Sequence, residues 1–205
     1  WPVVVEDRFA VAGRDRSWTD RFAAAALDPR WVAPSRPAAS FARPGAGLFL
    51  DDGRTVDSGH QDRVLCARVL DRAWAAQAHV AEGDACLSVR IDAAHWIGVE
   101  AVAGVARLRA VSTPFDQVFA THELRPGDRI GLRATPGEGL FAMGVGPDTI
   151  EGFIVRGDER IVLGAIDGRY VSTEVAGGFT GRMIGLEALG GVARVGEVAY
   201  RSLEG

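Results

Sequence analysis

Short apolar runs, repeated along most of the chain, limit what this sequence can fold into. From Ala46 onward, runs rich in Val, Ile, Leu and aromatic residues recur every 8–12 residues, separated by Gly, Pro, Asp and charged turns. We predict strands at 47–51, 63–70, 74–80, 85–91, 95–102, 105–111, 117–121, 129–134, 140–145, 150–156, 161–163, 182–188 and 192–200. Such spacing is typical of an all-β domain.

Several of these runs alternate strictly between apolar and polar residues. Ile130, Leu132 and Ala134 share one side of a predicted strand, and Arg129 and Arg133 lie on the other. This alternation is typical of an antiparallel sheet with one buried and one wet face. Because no long helix-period segment separates the strands, a doubly wound fold or a (β/α) barrel is excluded. We predict an antiparallel two-sheet β-sandwich of the jelly-roll type, with six or seven strands in each sheet.

The first 45 residues are less regular. Pro2 restricts the start of the chain to an extended arm that continues as a first strand to Phe9. Ser17 and Asp20 resemble a helix cap before an Ala-rich stretch, so we expect at most one short helix, near residues 19–27. Prolines break up residues 28–45. Since no linker-like tract interrupts the interior, we predict a single domain over residues 6–205.

Composition excludes two kinds of partner. The net charge is −4 and no basic stripe is visible, so we expect no nucleic acid. No apolar run reaches the roughly 18 residues of a membrane span, and no signal peptide is visible at the start of the chain. We expect no membrane partner and a cytoplasmic rather than a secreted protein. All 23 basic residues are Arg, which suggests a GC-rich bacterial source.

Motifs for nucleophilic or phosphate chemistry are missing. There is no G-x-S-x-G elbow. Two glycine pairs, in 137–139 and 144–146, precede no helix whose N-terminus could bind phosphate. The closely spaced acids of sandwich glucanases (Glu-x-Asp-x-x-Glu) are also absent. We therefore predict no catalytic residue in this chain.

The sequence gives little support for a metal site. The four histidines stand far apart, at positions 60, 79, 95 and 122, and none has a second ligand at metal-binding spacing. Asp51, Asp52 and Asp57 offer enough oxygens for calcium, but their spacing matches no calcium loop. We expect no cofactor, with calcium at these aspartates as the alternative. Cys66 and Cys86 lie in apolar runs, and we interpret them as buried free thiols.

Aromatic residues are the remaining candidates for binding. Trp74, Trp96 and Tyr200 are of the type that stacks on sugars, but each lies in an alternating strand, where packing in the core is the favoured role. Residues 173–181 differ, because three glycines flank Phe179 on a predicted loop. From the residues alone two interpretations stay open: Phe179 plugs its own core, or it is offered to something outside the domain.

A set of short motifs resembles one known family. They are Trp1-Pro2-Val3-Val4, Asp28-Pro29-Arg30-Trp31, Pro44-Gly45 with Gly47-Leu48-Phe49-Leu50, Leu65-Cys66-Ala67-Arg68, Gly83-Asp84-Ala85, His95-Trp96-Ile97-Gly98-Val99, Thr173 to Gly181, and Ile184-Gly185-Leu186-Glu187-Ala188. Together they resemble the C-terminal concanavalin A-like β-sandwich of family 43 glycoside hydrolases, the β-xylosidases and α-arabinofuranosidases. The sequence departs from the family at Val69, where a Gln is common.

The resemblance implies a function for the loop around Phe179. In relatives of this kind the Gly-Gly-Phe-Thr-Gly loop reaches the active site of a preceding five-bladed propeller, and its Phe walls the pocket. That role would fall on Phe179, with Thr180 and Gly178 beside it. Residues 1–5 would then be the tail of the preceding catalytic domain or a linker. Xylo- or arabino-oligosaccharides would be bound through that domain, which holds the acid and base, so this chain alone should be inactive.

Two other functions stay open. The sandwich could be a stand-alone, lectin-like carbohydrate-binding module, or a purely structural or oligomerising domain, and a homo-oligomer is compatible with either interpretation.

Overall fold

The chain forms two stacked antiparallel sheets. The computed structural model describes residues 16–52, 63–137, 146–177 and 181–204. Their strands are β1 Trp18–Asp20, β2 Ala42–Pro44, β3 Leu48–Asp51, β4 Leu65–Arg68, β5 Trp74–Glu82, β6 Ala85–Arg90, β7 His95–Val102, β8 Val105–Ser112, β9 Phe115–Glu123, β10 Arg129–Gly137, β11 Gly146–Arg156, β12 Glu159–Asp167, β13 Met183–Ala188 and β14 Val192–Ser202. The predicted fold class, an all-β concanavalin A-like sandwich, is confirmed.

The two sheets differ in size. One has six strands in the order β4-β13-β6-β7-β8-β9, and the other has eight, with β12-β11-β10-β5-β14-β3-β2 in line and β1 also paired to β14. β3 pairs with residues 192–195 of β14 and β1 with residues 198–200. The long β14 therefore aligns two short strands end to end along one side. With both of them the larger sheet has eight strands, one more than the predicted maximum of seven.

The core lies between the sheets and follows the predicted alternation. Ile130, Leu132 and Ala134 of β10 are buried, and Arg129 and Arg133 face outward. Leu87, Val89, Ile97 and Val99 close the core from the six-stranded sheet. Of the thirteen predicted runs, twelve contain a strand, and the run 140–145 lies outside the described residues, as does the predicted arm and strand at 1–9.

The helix expected near residues 19–27 is not formed. Residues 18–20 are β1 instead, and the polar side chains that resemble a cap are used elsewhere. Ser17 Oγ accepts a hydrogen bond from Ser202 N at 3.0 Å, and Asp20 accepts from Phe22 N at 2.7 Å and from Trp31 Nε1 at 2.8 Å. Pairing with β14 and burial of Trp31 outweigh the weak helix preference of a short Ala-rich stretch.

The short helical elements lie elsewhere. They are two 3₁₀ turns, Ala38–Ser40 and Gly168–Val171, and one turn of α-helix, α1 Thr173–Ala176. Cys66 and Cys86 are buried and free, as expected. None of the helices in the described part of the chain is long and apolar enough to cross a membrane.

Candidate functional site

A cavity opens at one end of the sandwich. At this end, called the loop end below, β10 and β12 finish and β11 and β13 begin, and the segment 69–73 passes from one sheet to the other. The cavity has a volume of about 680 Å³. Its lining residues are Val69, Leu70, Asp71, Arg72, Trp74, Pro136, Pro147, Asp148, Arg169, Ser172, Glu174, Val175 and Arg182.

Arg182 ties the segments of the loop end together. Both of its terminal nitrogens donate to the Asp148 carboxylate, one of them at 2.9 Å to Oδ1. Nε donates to the carbonyl oxygen of Val171 at 2.8 Å, and Nη2 donates to that of Gly168 at 2.7 Å. A planar guanidinium can make these bonds at once, whereas an ammonium group cannot. Arg182 thereby fixes β13, β11 and the 3₁₀ turn relative to one another.

The packing around this ion pair leaves no spare room. A Cβ added at Gly168 would lie 2.1 Å from Asp148 Oδ1, so only glycine fits beside the carboxylate. Val171, at the other end of the 3₁₀ turn, is fully buried. The loop end is thus built on a rigid base.

α1 leads from this base to the segment predicted to be functional. It ends at Gly177, which has a φ of 66° and donates its N–H to the Thr173 carbonyl oxygen. Gly181, on the far side, has a φ of 69°. A glycine with left-handed backbone therefore stands directly before and directly after residues 178–180. The predicted site residues Gly178, Phe179 and Thr180 themselves lie outside the described residues.

Large apolar side chains are exposed at the loop end. Leu70 is 57% exposed and Phe115, at the start of β9, is 75% exposed. Tyr170, Val175 and Leu203 are exposed at the same end. Exposed apolar groups gathered at one end of a domain are typical of a docking surface.

The carboxylates of the cavity do not form an acid–base pair. Asp148 is bound by Arg182, and Asp71 accepts hydrogen bonds from Tyr200 Oη at 2.7 Å and Ser202 Oγ at 3.0 Å. A hydrogen bond from its own backbone N–H lowers the pKa of Glu174. Glycoside hydrolysis needs one carboxyl that is protonated at working pH beside one that is ionised. This arrangement suits carboxylates that hold structure.

The other predicted candidates lie away from the cavity or in its floor. Trp74 and Tyr200 are 1% and 2% exposed and stack at 6.0 Å in the core. Trp96, 7% exposed, lies between the guanidinium groups of Arg90 and Arg109. Packing in the core, the favoured role, is therefore confirmed for Trp74 and Tyr200, whereas Trp96 is buried on the outer face of the six-stranded sheet and does not belong to the core.

The proposed aspartate site for calcium stays a prediction, because Asp57 lies outside the described residues. Asp51 pairs with Arg63 at 3.1 Å, and Asp52 accepts from Gly190 N at 2.6 Å. No group of three His, Cys, Asp or Glu side chains that could hold a metal occurs among the described residues.

Sequence reasoning missed Arg182 and Asp148. Arg182 directly follows the glycine-rich motif, and Asp148 follows Pro147, but their 34-residue separation gives no local signal of pairing. Only the antiparallel arrangement of both sheets brings them together.

Comparison with known proteins agrees with this architecture. A family model described as the beta xylosidase C-terminal concanavalin A-like domain matches residues 19–201. A comparison with curated proteins found no match.

Solved structures are similar over nearly the whole chain. The xyloglucan PUL GH43B of Bacteroides ovatus is 23% identical with a TM-score of 0.69, and the xylan beta-1,4-xylosidase of Bacillus halodurans C-125 is 15% identical with a TM-score of 0.65. The alignments cover 90% of this chain but 39% of each of those chains. A bifunctional GH43-CE protein of Bacteroides eggerthii is 14% identical, with a TM-score of 0.67, over 91% of this chain and 27% of its own. At these identities the likeness supports the fold.

Proposed function

The chain belongs to the family of β-xylosidase C-terminal concanavalin A-like domains, found at the C-terminal end of family 43 glycoside hydrolases, and from this membership we propose that it is the accessory sandwich of such an enzyme. Its loop end packs on a five-bladed propeller catalytic domain of the same protein. Phe179, flanked by Gly178 and Thr180, completes the wall of the propeller's pocket. The parent protein hydrolyses xylosides or arabinosides.

The bracketing of residues 178–180 is the observation that supports this proposal most. Gly177 and Gly181 both have left-handed backbone, and Arg182 is bound by two other segments, β11 and the 3₁₀ turn Gly168–Val171. Well-defined residues on both sides of the segment 178–180 would lower the ordering cost of presenting Phe179 to a partner domain. An aromatic wall would exclude water from a sugar pocket and limit the number of sugar units that fit.

Exposed apolar residues support the docking part of the proposal. Leu70 and Val175, which line the cavity, are exposed at the loop end, as is Phe115 at the start of β9. Burying one such side chain contributes about 1.5–3 kcal/mol. Several of them together would hold a catalytic domain at this end of the sandwich.

The chemistry of the loop end favours an accessory role over a catalytic one. Asp148 and Asp71 are committed to Arg182 and Tyr200. The acid and base of the reaction would come from the propeller. We therefore propose that the chain has no hydrolase activity by itself.

A free carbohydrate-binding module with aromatic stacking is less well supported. Its three candidate aromatics, Trp74, Trp96 and Tyr200, are buried in the sandwich. Calorimetric titration of the chain with xylo-oligosaccharides tests this alternative, because the accessory role predicts no heat of binding.

Substitution of Phe179 in the parent enzyme tests the proposal. With a short aryl pentoside or disaccharide as substrate, Phe179→Ala should lower kcat/KM about 10- to 100-fold, which corresponds to 1.4–2.7 kcal/mol of lost transition-state stabilisation. Phe119→Ala, which removes a half-exposed aromatic from the middle of β9, is the matched control and should leave kcat/KM unchanged. Equal kinetics for both variants, with normal folding, would refute a role for Phe179 in the pocket.

A further inference from the structure

A second cavity lies on the outward face of the eight-stranded sheet, next to the loop end. Its volume is about 330 Å³. We call it the arginine groove, because four of its lining residues are arginines. The lining residues are Ala75, Gln77, Arg129, Arg133, Phe153, Arg160, Ala199, Arg201 and Leu203.

Strand register places two of the arginines on opposite sides of the groove. Arg133 of β10 pairs with Ala75 of β5, which in turn pairs with Arg201 of β14. Neighbouring strands lie about 4.8 Å apart, so the two arginine backbones are about 10 Å apart. Since only the methyl group of Ala75 stands between them, both guanidinium groups can approach one ligand.

Carboxylates near the groove balance only two of its four arginines. Arg129 pairs with Glu197 at 3.4 Å, and Arg160 pairs with Glu151 at 3.3 Å. Arg133 lies directly opposite Glu151 in the register, yet neither Arg133 nor Arg201 has a carboxylate partner among the described residues. The groove therefore has an excess of two positive charges in a chain whose net charge is −4.

Arg133 also has an unsatisfied donor. Its Nε is buried and has no hydrogen-bond partner in the described part of the chain. Burying a guanidinium nitrogen without a hydrogen-bond partner is unfavourable, because the nitrogen loses its hydration and gains nothing in return. An acceptor that enters the groove would remove this penalty.

One wall of the groove is rigid. The ring of Phe153 packs closely against Gly131, where an added Cβ would be 2.4 Å from two ring atoms. The guanidinium carbon of Arg160 is 5.6 Å from the ring centre on its outward side. Phe153 is buried although it points away from the core, so the arginines around it are held against a fixed apolar surface.

We propose that the arginine groove binds the carboxylate of an acidic sugar, namely a hexuronic acid residue of the glycan on which the parent enzyme acts. Guanidinium groups match the two oxygens of a carboxylate, and the amide of Gln77 can donate to or accept from a ring hydroxyl. The volume is at the lower end of the range of about 300–1,000 Å³ for small-molecule sites, which suits one sugar ring. The choice of a sugar rests on the proposed function, whereas the choice of an anion rests on the unbalanced arginines.

Titration of the chain with matched sugars tests this inference. Sodium glucuronate, glucose and inorganic phosphate are added in turn, and binding is followed by chemical-shift changes or calorimetry. Glucuronate should bind at least about tenfold more tightly than glucose, since a charge-assisted pair is lost in the neutral sugar. Its affinity should fall with added salt, because the groove is open to solvent.

Single-site variants show whether glucuronate binds in the arginine groove. Arg133→Ala and Arg201→Gln should each weaken glucuronate binding at least about tenfold. Arg107→Ala, on the outward face of the other sheet, is the control and should not change it. Thermal unfolding of each variant establishes that it is folded. If Arg133→Ala does not fold, Arg201→Gln still tests whether the groove binds glucuronate.

Three results would overturn the proposal. They are equal affinity for glucuronate and glucose, tighter binding of phosphate than of glucuronate, and an Arg107→Ala effect as large as that of Arg133→Ala. The chain needs no catalytic domain for this test, so its failure would leave the role of Phe179 untouched.

Discussion

Arg182 is the residue on which the geometry of the loop end depends most. Its guanidinium neutralises Asp148 and satisfies the carbonyl oxygens of Gly168 and Val171. Four bonds from one side chain mean that its removal would leave several partly buried acceptors unsatisfied.

We predict that Arg182→Ala lowers the free energy of unfolding by about 2–4 kcal/mol, because Asp148 loses its partner where only 17% of its side chain is exposed. Arg182→Lys should recover only part of the loss, since it keeps the charge without the fork. Urea denaturation measures both, with Arg107→Ala as a control expected within about 0.5 kcal/mol of the parent chain. A loss below that limit for Arg182→Ala would contradict the assigned role.

The buried thiols give a second prediction at this scale. Burial raises the pKa of Cys66 from its ordinary value of 9.0 to about 11, and burial raises that of Cys86 as well. The unfolded chain therefore loses these protons at a lower pH than the folded chain does. The stabilisation is complete below about pH 9 and is lost as the pH rises through about 11.

Two measurements check the thiol prediction. Neither cysteine should react with a thiol reagent in the folded chain near pH 8, and both should react in denaturant. The free energy of unfolding should fall between pH 9 and 11, with a shallower slope in Cys66→Ala. Rapid reaction of either thiol in the folded chain would contradict the burial described.

At the scale of elements, Asp128 organises the turn between β9 and β10. Its Oδ2 accepts from Arg125 N at 2.9 Å, and it binds Arg156 of β11 through two guanidinium nitrogens. The hydrogen bonds from Arg156 keep the pKa of Asp128 below its usual range.

Because the folded-state pKa of Asp128 is lowered, its contribution to stability is present above the ordinary pKa of about 4 and is lost as the pH falls below it. Asp128→Asn should therefore destabilise the chain at pH 7, and the difference from the parent chain should shrink toward acid pH. Urea denaturation across pH 3–7 measures this. A difference that does not change with pH would show that the charge of Asp128 is not what stabilises the turn.

Elements with strong periodicity could be predicted from sequence, and elements set by distant partners could not. The alternation of β10 predicts its buried face correctly, because that pattern is local. The stretch 18–20 has a helix-like cap but pairs with β14, nearly 180 residues away, and no local signal reports such a partner. The same holds for the cavity at the loop end. Its glycines are visible in the sequence, whereas the ion pair of Arg182 and Asp148 depends on how the two sheets stack.

At the scale of the whole molecule, the loop end and the outward face of the eight-stranded sheet have separate roles. The loop end combines exposed apolar residues with Gly177 and Gly181, two glycines of left-handed backbone. The arginine groove lies on a sheet face and is lined by four arginines.

We expect Phe115→Ser at the loop end to weaken association with the catalytic domain. The same change should alter the free energy of unfolding by no more than about 0.5 kcal/mol, since Phe115 is 75% exposed. Sedimentation or calorimetry of the separately expressed domains measures the association.

The most direct test of the accessory role is an aryl pentoside hydrolysis assay with the chain, the preceding catalytic domain, and a mixture of the two. We predict no turnover by the chain alone, weak turnover by the catalytic domain alone, and a saturable increase when the chain is added. The Phe179→Ala chain should fail to give that increase. Hydrolysis by the chain alone, or a catalytic domain that is fully active without it, would contradict the account.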